Sequence, residues 1–125
     1  MAFKKLPNAE FEIMKAIWHS EEPTASPCLT KKLRVLLPNK DWKQQTILTM
    51  LVRLEKKGYL RSEKRGRERV YFPLISEEQY LKIELENFKN RFSGGTLSGF
   101  VKALYDGNSV SESEIRELKD WIEKM

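Results

Sequence analysis

The stretch KQQTILTMLVRLEKKGYLRSEKRGRERVYF, Lys43 to Phe72, changes its hydrophobic period halfway along. Up to Lys57 the apolar residues recur at helical spacing: at about 100° per residue, Ile47, Met50, Leu51 and Leu54 fall on one side. Gln45, Thr49 and Lys56 lie opposite, Thr46 and Arg53 sit on the flanks, and Glu55 is the only carboxylate. Asp41 or Trp42 stands near the expected cap, and Gly58 follows the last turn, where helices commonly stop on glycine. The spacing predicts a helix over about Lys43–Lys57. Beyond Gly58, Tyr59–Glu63 and Arg69–Phe72 have the composition of two short strands, with Gly66 suited to the hairpin tip and Pro73 ending the second.

Working upstream, Asn8 can cap a helix to His19 whose Phe11, Met14, Ile17 and Trp18 share one side, with Glu21-Glu22-Pro23 ending it. Thr24-Ala25 is too short to assign beyond one extended pairing residue. Ser26-Pro27 is a strong helix start, a capping hydroxyl before a proline, and Leu29, Leu33, Leu36 and Leu37 form an apolar stripe behind it. Pro38-Asn39-Lys40 closes that second helix. The order is helix, helix, helix, basic hairpin, which is what a winged helix-turn-helix requires.

Downstream, Ser76-Glu77-Glu78-Gln79 opens a long helix to about Phe92 with the residues of a capping box. Leu81, Leu85, Phe88 and Phe92 follow one another at i, i+4, i+7 and i+11. Ser93-Gly94-Gly95 breaks it. A fifth helix from Thr96 to Tyr105 carries Leu97, Phe100, Val101 and Leu104. After the turn Asp106-Gly107-Asn108, Ser111 starts a last helix bearing Ile115, Leu118, Trp121 and Ile122. Three helices in about 50 residues bury too little surface to stand alone. These twelve apolar residues are therefore expected to meet a second copy of the chain, the alternative being that the lobe folds back on its own winged domain. The fold class expected is mainly α with a small β wing: a winged helix-turn-helix over residues 1–75, then a helical dimerisation domain over 76–125.

Charge divides along the same line. Residues 1–75 hold sixteen Lys/Arg against eight Asp/Glu, whereas residues 76–125 hold seven against ten, for a net +5 over 125 residues. A basic front half points to a polyanion, double-stranded DNA above all, against the alternative of an unevenly charged solvated surface. On the third helix Gln45 suits adenine, Arg53 guanine or a phosphate, and Thr46 and Thr49 phosphates or thymine methyls. Lys43 and Gln44 occupy the first turn, where recognition helices meet base edges, and Lys56 extends the cationic face. At the hairpin, Lys64, Arg65, Arg67 and Arg69 gather four cations in six residues, and phosphate contact relieves their repulsion.

Catalysis has no constellation to rest on. There is no Cys/His pair, no metal-ligand spacing and no phosphate-binding glycine loop, so neither enzyme nor cofactor nor metal is expected. Cys28 is the only cysteine, which excludes an internal disulfide; it is expected to be a small packed residue. The longest apolar runs are a few residues, such as Val35-Leu36-Leu37, so no membrane insertion is expected and the cytoplasm is the default location.

With these elements placed, the chain resembles the penicillinase and methicillin-resistance repressor family (BlaI/MecI type, with copper-responsive CopY-type members). The matching stretches are Asn8–Lys15 with Ile17-Trp18, Asp41-Trp42, Thr46-Ile47, Thr49 and Arg53–Gly58. Tyr71, Pro73-Leu74, Ser76–Tyr80, Arg91-Phe92, Gly94-Gly95 and Ser111–Ile115 extend the match to nearly the whole chain. The resemblance implies a homodimeric repressor on a palindromic operator, commonly of TACA/TGTA half-sites, controlling β-lactam resistance genes. It further implies a membrane sensor protease whose signal leads to a cut in the C-terminal lobe. The candidate cleavage region is Lys102, Ala103 and Leu104, where the family's Asn-Phe pair is not matched. Lys43-Gln44-Gln45 stands where the family often has Ser-Pro-Lys, and Leu48 replaces a usual basic residue, so a different operator sequence is an open alternative. The cysteine-rich tail of the copper-sensing members is absent. A protein-interaction module, or a repressor of this family answering another signal, are the competing readings.

Overall fold

A computed structural model describes residues 4–21, 23–92 and 96–125. The described chain forms six helices and one small sheet: α1 (Asn8–Trp18), β1 (Thr24–Ala25), α2 (Ser26–Leu36), α3 (Gln44–Lys56), β2 (Leu60–Arg65), β3 (Glu68–Pro73), α4 (Glu77–Arg91), α5 (Leu97–Asp106) and α6 (Glu112–Glu123). The predicted class, mainly helical with a small β wing, is the observed one. Two compact units are present, Met1–Asn87 and Phe88–Met125, and the division falls inside α4 rather than at Ser76. Glu22 and the helix break expected at Ser93-Gly94-Gly95 lie outside the described residues.

The first unit is built round Ile13, Met14, Leu29, Leu33, Ile47, Leu51, Leu54 and Leu60, all essentially inaccessible to solvent. The helical stripes of α1, α2 and α3 converge there, as their spacing predicts. The expected stripe on α2 is cut short: Leu37 is half-buried and Leu36 is exposed, because the helix end runs past the core. Two expected caps are also corrected. Asn8 is already helical, and Pro7 holds the cap position of α1 without a side-chain bond. Ser26 is likewise the first residue of α2, capped by Ala25, and its hydroxyl is engaged elsewhere. Cys28 proves exposed rather than packed, on the outer side of that first turn.

The end of α3 is set by Gly58 at φ +84°, in the left-handed region that only glycine enters without a Cβ penalty. Gly58 N–H donates to the Glu55 carbonyl at 3.1 Å and Tyr59 N–H to that of Leu54 at 3.0 Å, the bond pair of a Schellman stop. The chain then enters a hairpin pairing Leu60 with Pro73 through Arg65 with Glu68; the first strand starts one residue later and ends two later than its composition suggests, and the second extends one residue further at each end. Gly66 takes φ +65° at the first of two turn positions, where a II′ turn requires glycine. Thr24-Ala25 pairs antiparallel with Val70 and Tyr71, giving a three-stranded sheet in the order β1-β3-β2.

The start of α4 belongs to this first unit. Ser76 and Gln79 exchange the reciprocal bonds of a capping box, at 2.9 and 3.0 Å. One turn on, Tyr80 is buried, its ring stacked on Phe11 and close to Trp18 and Tyr59 at 5.6–6.0 Å between centroids. Its hydroxyl accepts from Leu6 N–H and donates to Glu84, both at 2.7 Å. Burial pushes the phenol well above its usual range, with the Glu84 carboxylate adding to the rise and the Leu6 bond opposing it. The Trp18 indole donates to the Ile75 carbonyl at 2.8 Å, and His19 pairs with Glu77 at 2.9 Å, so the end of α1 is tied to the start of α4.

In the second unit α5 and α6 are well capped. Thr96 accepts from Gly99 N–H and Ser111 from Glu114 N–H. Asn108 at φ +59° takes the left-handed stop after α5. Phe88, Phe92 and Phe100 form an aromatic trio with centroids 4.9–6.5 Å apart. Yet no residue of α5 or α6 is buried.

Candidate nucleic-acid interface

Because Ile47, Leu51 and Leu54 anchor α3 in the core, its opposite side is turned outward. Gln45, Thr46, Thr49, Arg53 and Lys56 are all exposed there, as their helical angles require. Lys43 holds the cap position without a side-chain bond to the helix and reaches back to Asp41 at 3.7 Å. Thr49 donates its hydroxyl proton to the Gln45 carbonyl at 3.0 Å, so its one donor is engaged within the helix. Among the described residues Arg53 and Lys56 make no ion pair. Glu55, the only carboxylate of α3, accepts from Ser62 at 2.5 Å, and Arg69 donates to the same Ser62 hydroxyl at 3.0 Å. This relay holds the hairpin against α3.

Gln44 behaves differently from its neighbours. Its Oε1 accepts from the Thr30 hydroxyl at 2.8 Å and its Nε2 donates to the Ser26 hydroxyl at 3.1 Å. Both ends of the amide are thus engaged by α2, and Gln44 cross-links the two helices of the helix-turn-helix. Trp42, buried just ahead of α3, is fixed by Arg34, which donates from Nε and Nη2 to its carbonyl at 3.1 and 3.0 Å. These two ties set the angle at which α3 leaves the domain.

The hairpin cations separate by strand parity. Lys64 and Arg69 are directly paired and lie on the sheet face that carries Leu60 and Tyr71, the face turned to α3. Arg65 lies on the other face with Arg61, and both stack over the Phe72 ring, at 5.5 and 3.9 Å. Arg65 also pairs with Glu63 at 3.5 Å. Arg67 occupies the turn beside Gly66 and is exposed. The four cations therefore divide three ways rather than forming one cluster. Arg61 was not singled out by the sequence, and neither was Val52, which stands on the exposed face of α3 between Thr49 and Lys56. The helical angle of Val52 was a usable signal; the ring beneath Arg61 was not visible before the strands were paired.

On the other unit, Leu97, Leu104, Trp121 and Ile122 are exposed, and Phe100, Val101, Ile115 and Leu118 half-buried. Between α5 and α6 lies an apolar cleft of about 960 Å³, lined by Leu97, Val101, Tyr105, Ile115, Leu118, Trp121 and Ile122 among others. Phe88 and Phe92, and Leu81 and Leu85 on the first unit's part of α4, are exposed too. Lys102, Ala103 and Leu104 sit within α5 as exposed helical residues. No group of metal-binding side chains is found among the described residues, and no helix among them is long and apolar enough to cross a membrane.

Comparison with known proteins places this geometry. The family described as penicillinase repressor matches residues 6–124. The penicillinase repressor of Bacillus licheniformis is 39% identical over 125 residues, covering 97% of this chain and 94% of that protein. The methicillin resistance regulatory protein MecI of Staphylococcus aureus (strain N315) is 28% identical over 120 residues, covering 96% and 94%. Among solved structures, the DNA-binding domain of the repressor BlaI is similar at TM-score 0.53 and 38% identity, covering 63% of this chain and 92% of that one. The monomeric form of Bacillus licheniformis BlaI in complex with the blaP half-operator is similar at TM-score 0.51, with the same identity and coverage.

Proposed function

The chain belongs to the penicillinase repressor family, and from that premise we propose that it represses transcription as a homodimer on a palindromic operator of TACA/TGTA-like half-sites. The carrying observation is the exposed amide, hydroxyl and cation face of α3 in a domain 38% identical to BlaI, which was solved on a half-operator. In this reading Gln45 and Arg53 meet base edges, and Thr46, Thr49, Lys43 and Lys56 meet bases or phosphates along the same groove. Lys64, Arg67 and Arg69 reach the flanking phosphates. Gln44 orients the helix rather than reading a base. As a member of a repressor family the chain is not an enzyme.

The second unit supports the dimer. It exposes Phe88, Phe92, Leu97, Leu104, Trp121 and Ile122 and leaves four more apolar side chains of α5 and α6 only half-buried, and an isologous partner is the simplest cover for them. Two linked half-sites bind far more tightly than one, so weakening the dimer releases the operator. We assign the control of β-lactam resistance genes, with a membrane sensor protease upstream and cleavage inside the C-terminal lobe of residues 76–125. Lys102–Leu104 lie in an intact helix, so cutting there requires local unwinding of α5.

The test is fluorescence anisotropy with a palindromic TACA/TGTA duplex and a scrambled one. Arg53→Ala should weaken operator binding by about 1–3 kcal/mol if the guanidinium pairs with a base, and narrow the gap to the scrambled duplex. Unchanged operator affinity in both Arg53→Ala and Gln45→Ala would overturn the assignment of α3 as reader.

A further inference from the structure

Val52 is 49% exposed on the outward side of α3, where it makes no contribution to the core. A β-branched residue loses rotamer freedom in a helix, so an exposed valine is a poor choice for helix stability alone. Its neighbours at helical spacing are Leu48 four residues before, Thr49 three before and Lys56 four after. Leu48 is only half-buried. The hydroxyl proton of Thr49 is bonded to the Gln45 carbonyl, which leaves its methyl as an unengaged part of the side chain. Leu48, the Thr49 methyl and Val52 thus make a short apolar strip between Gln45 and Lys56, in the middle of an otherwise polar face.

Within the major groove the one apolar feature of a base edge is the C5-methyl of thymine. We propose that Val52, supported by Leu48 and Thr49, reads a thymine methyl and is a specificity-determining residue of this chain. The inference rests on α3 being the DNA reader. At about 1.5 Å per residue Val52 lies roughly 10 Å along the helix from Gln45. That separation exceeds the base-pair rise of about 3.4 Å, so the thymine belongs to a different base pair from the one that Gln45 meets.

The experiment uses the full chain and the duplex it selects from a randomised library, with each thymine replaced in turn by deoxyuridine, which removes only the methyl. At one or two thymines per half-site the wild-type affinity should fall about three- to fivefold, the worth of one buried methyl-sized group. Val52→Ala, an exposed change to a better helix former, should bind thymine and uracil at that position equally and keep its affinity for non-specific DNA. Val52→Thr, which retains a methyl, should keep most of the discrimination. Wild-type binding indifferent to every thymine methyl, or an undiminished methyl effect in Val52→Ala, overturns the proposal and leaves the DNA reading intact. Selection of no duplex at all overturns the DNA reading and this inference with it.

Discussion

Tyr80 joins α4 to the first unit by ring and hydroxyl together, and each half of that junction has a separate consequence. The ring fills the gap between Phe11, Trp18 and Tyr59, a burial of about 1.5–3 kcal/mol for a side chain of this kind. The hydroxyl satisfies Leu6 N–H and caps Glu84. Tyr80→Phe keeps the ring and strands Leu6 N–H, so stability at neutral pH should fall by about 1–2 kcal/mol in urea unfolding. The phenol pKa is raised by burial, so the folded state resists losing that proton. Its contribution is complete below pH 10, where the unfolded phenol is still neutral, and is lost as pH climbs beyond that. The wild-type midpoint should therefore drop above pH 10 more steeply than that of Tyr80→Phe; Tyr59 and Tyr71, raised by burial as well, leave a residual slope in both. Parallel curves would show that Tyr80 does not titrate with unfolding.

At the scale of elements, the hairpin assigns different work to cations that are adjacent in sequence. Lys64 and Arg69 share the face turned to α3, Arg67 stands at the tip, and Arg65 is stacked on Phe72 beside Glu63. If the wing meets phosphates, Lys64→Ala with Arg69→Ala should flatten the plot of log affinity against log salt by about 1.8, close to 0.9 for each lost contact. Arg65→Ala should change that slope by less than half as much as Lys64→Ala does. Equal effects from all four cations would mean that the wing acts as a diffuse charge. The sequence revealed the hairpin through Gly66 and its flanking β-formers, but not this partition, since parity has meaning only once Arg65 is paired with Glu68.

For the whole molecule, the first unit has a closed core while α5 and α6 of the second leave every apolar side chain exposed or only half-buried. A second copy is the partner proposed above. Trp121→Glu alters an exposed residue of α6 and so spares the first unit. Light scattering at micromolar concentration should then give the mass of one chain instead of two, and operator affinity should fall by about 10²–10⁴. A wild-type mass of one chain at that concentration would remove the dimer from the mechanism.

The sequence alone determined the order of elements and the outward face of α3. Helical period, Gly58, Gly66 and the Ser76–Gln79 box are local signals, decided within a turn of the residues that carry them. Helix starts were less legible where a hydroxyl had a better offer: Ser26 resembles a cap but accepts from Gln44, a partner 18 residues away. Tertiary structure alone decided that the Gln44 side chain bonds to α2, that Arg65 stacks on Phe72, and that Tyr80 packs into the core of the first unit. Each of these depends on which surfaces meet, and period and composition do not encode meetings between distant segments. The stretch from Lys43 to Phe72 thus specified a helix and a hairpin by itself. Packing decided which of its polar side chains remain free to touch a partner.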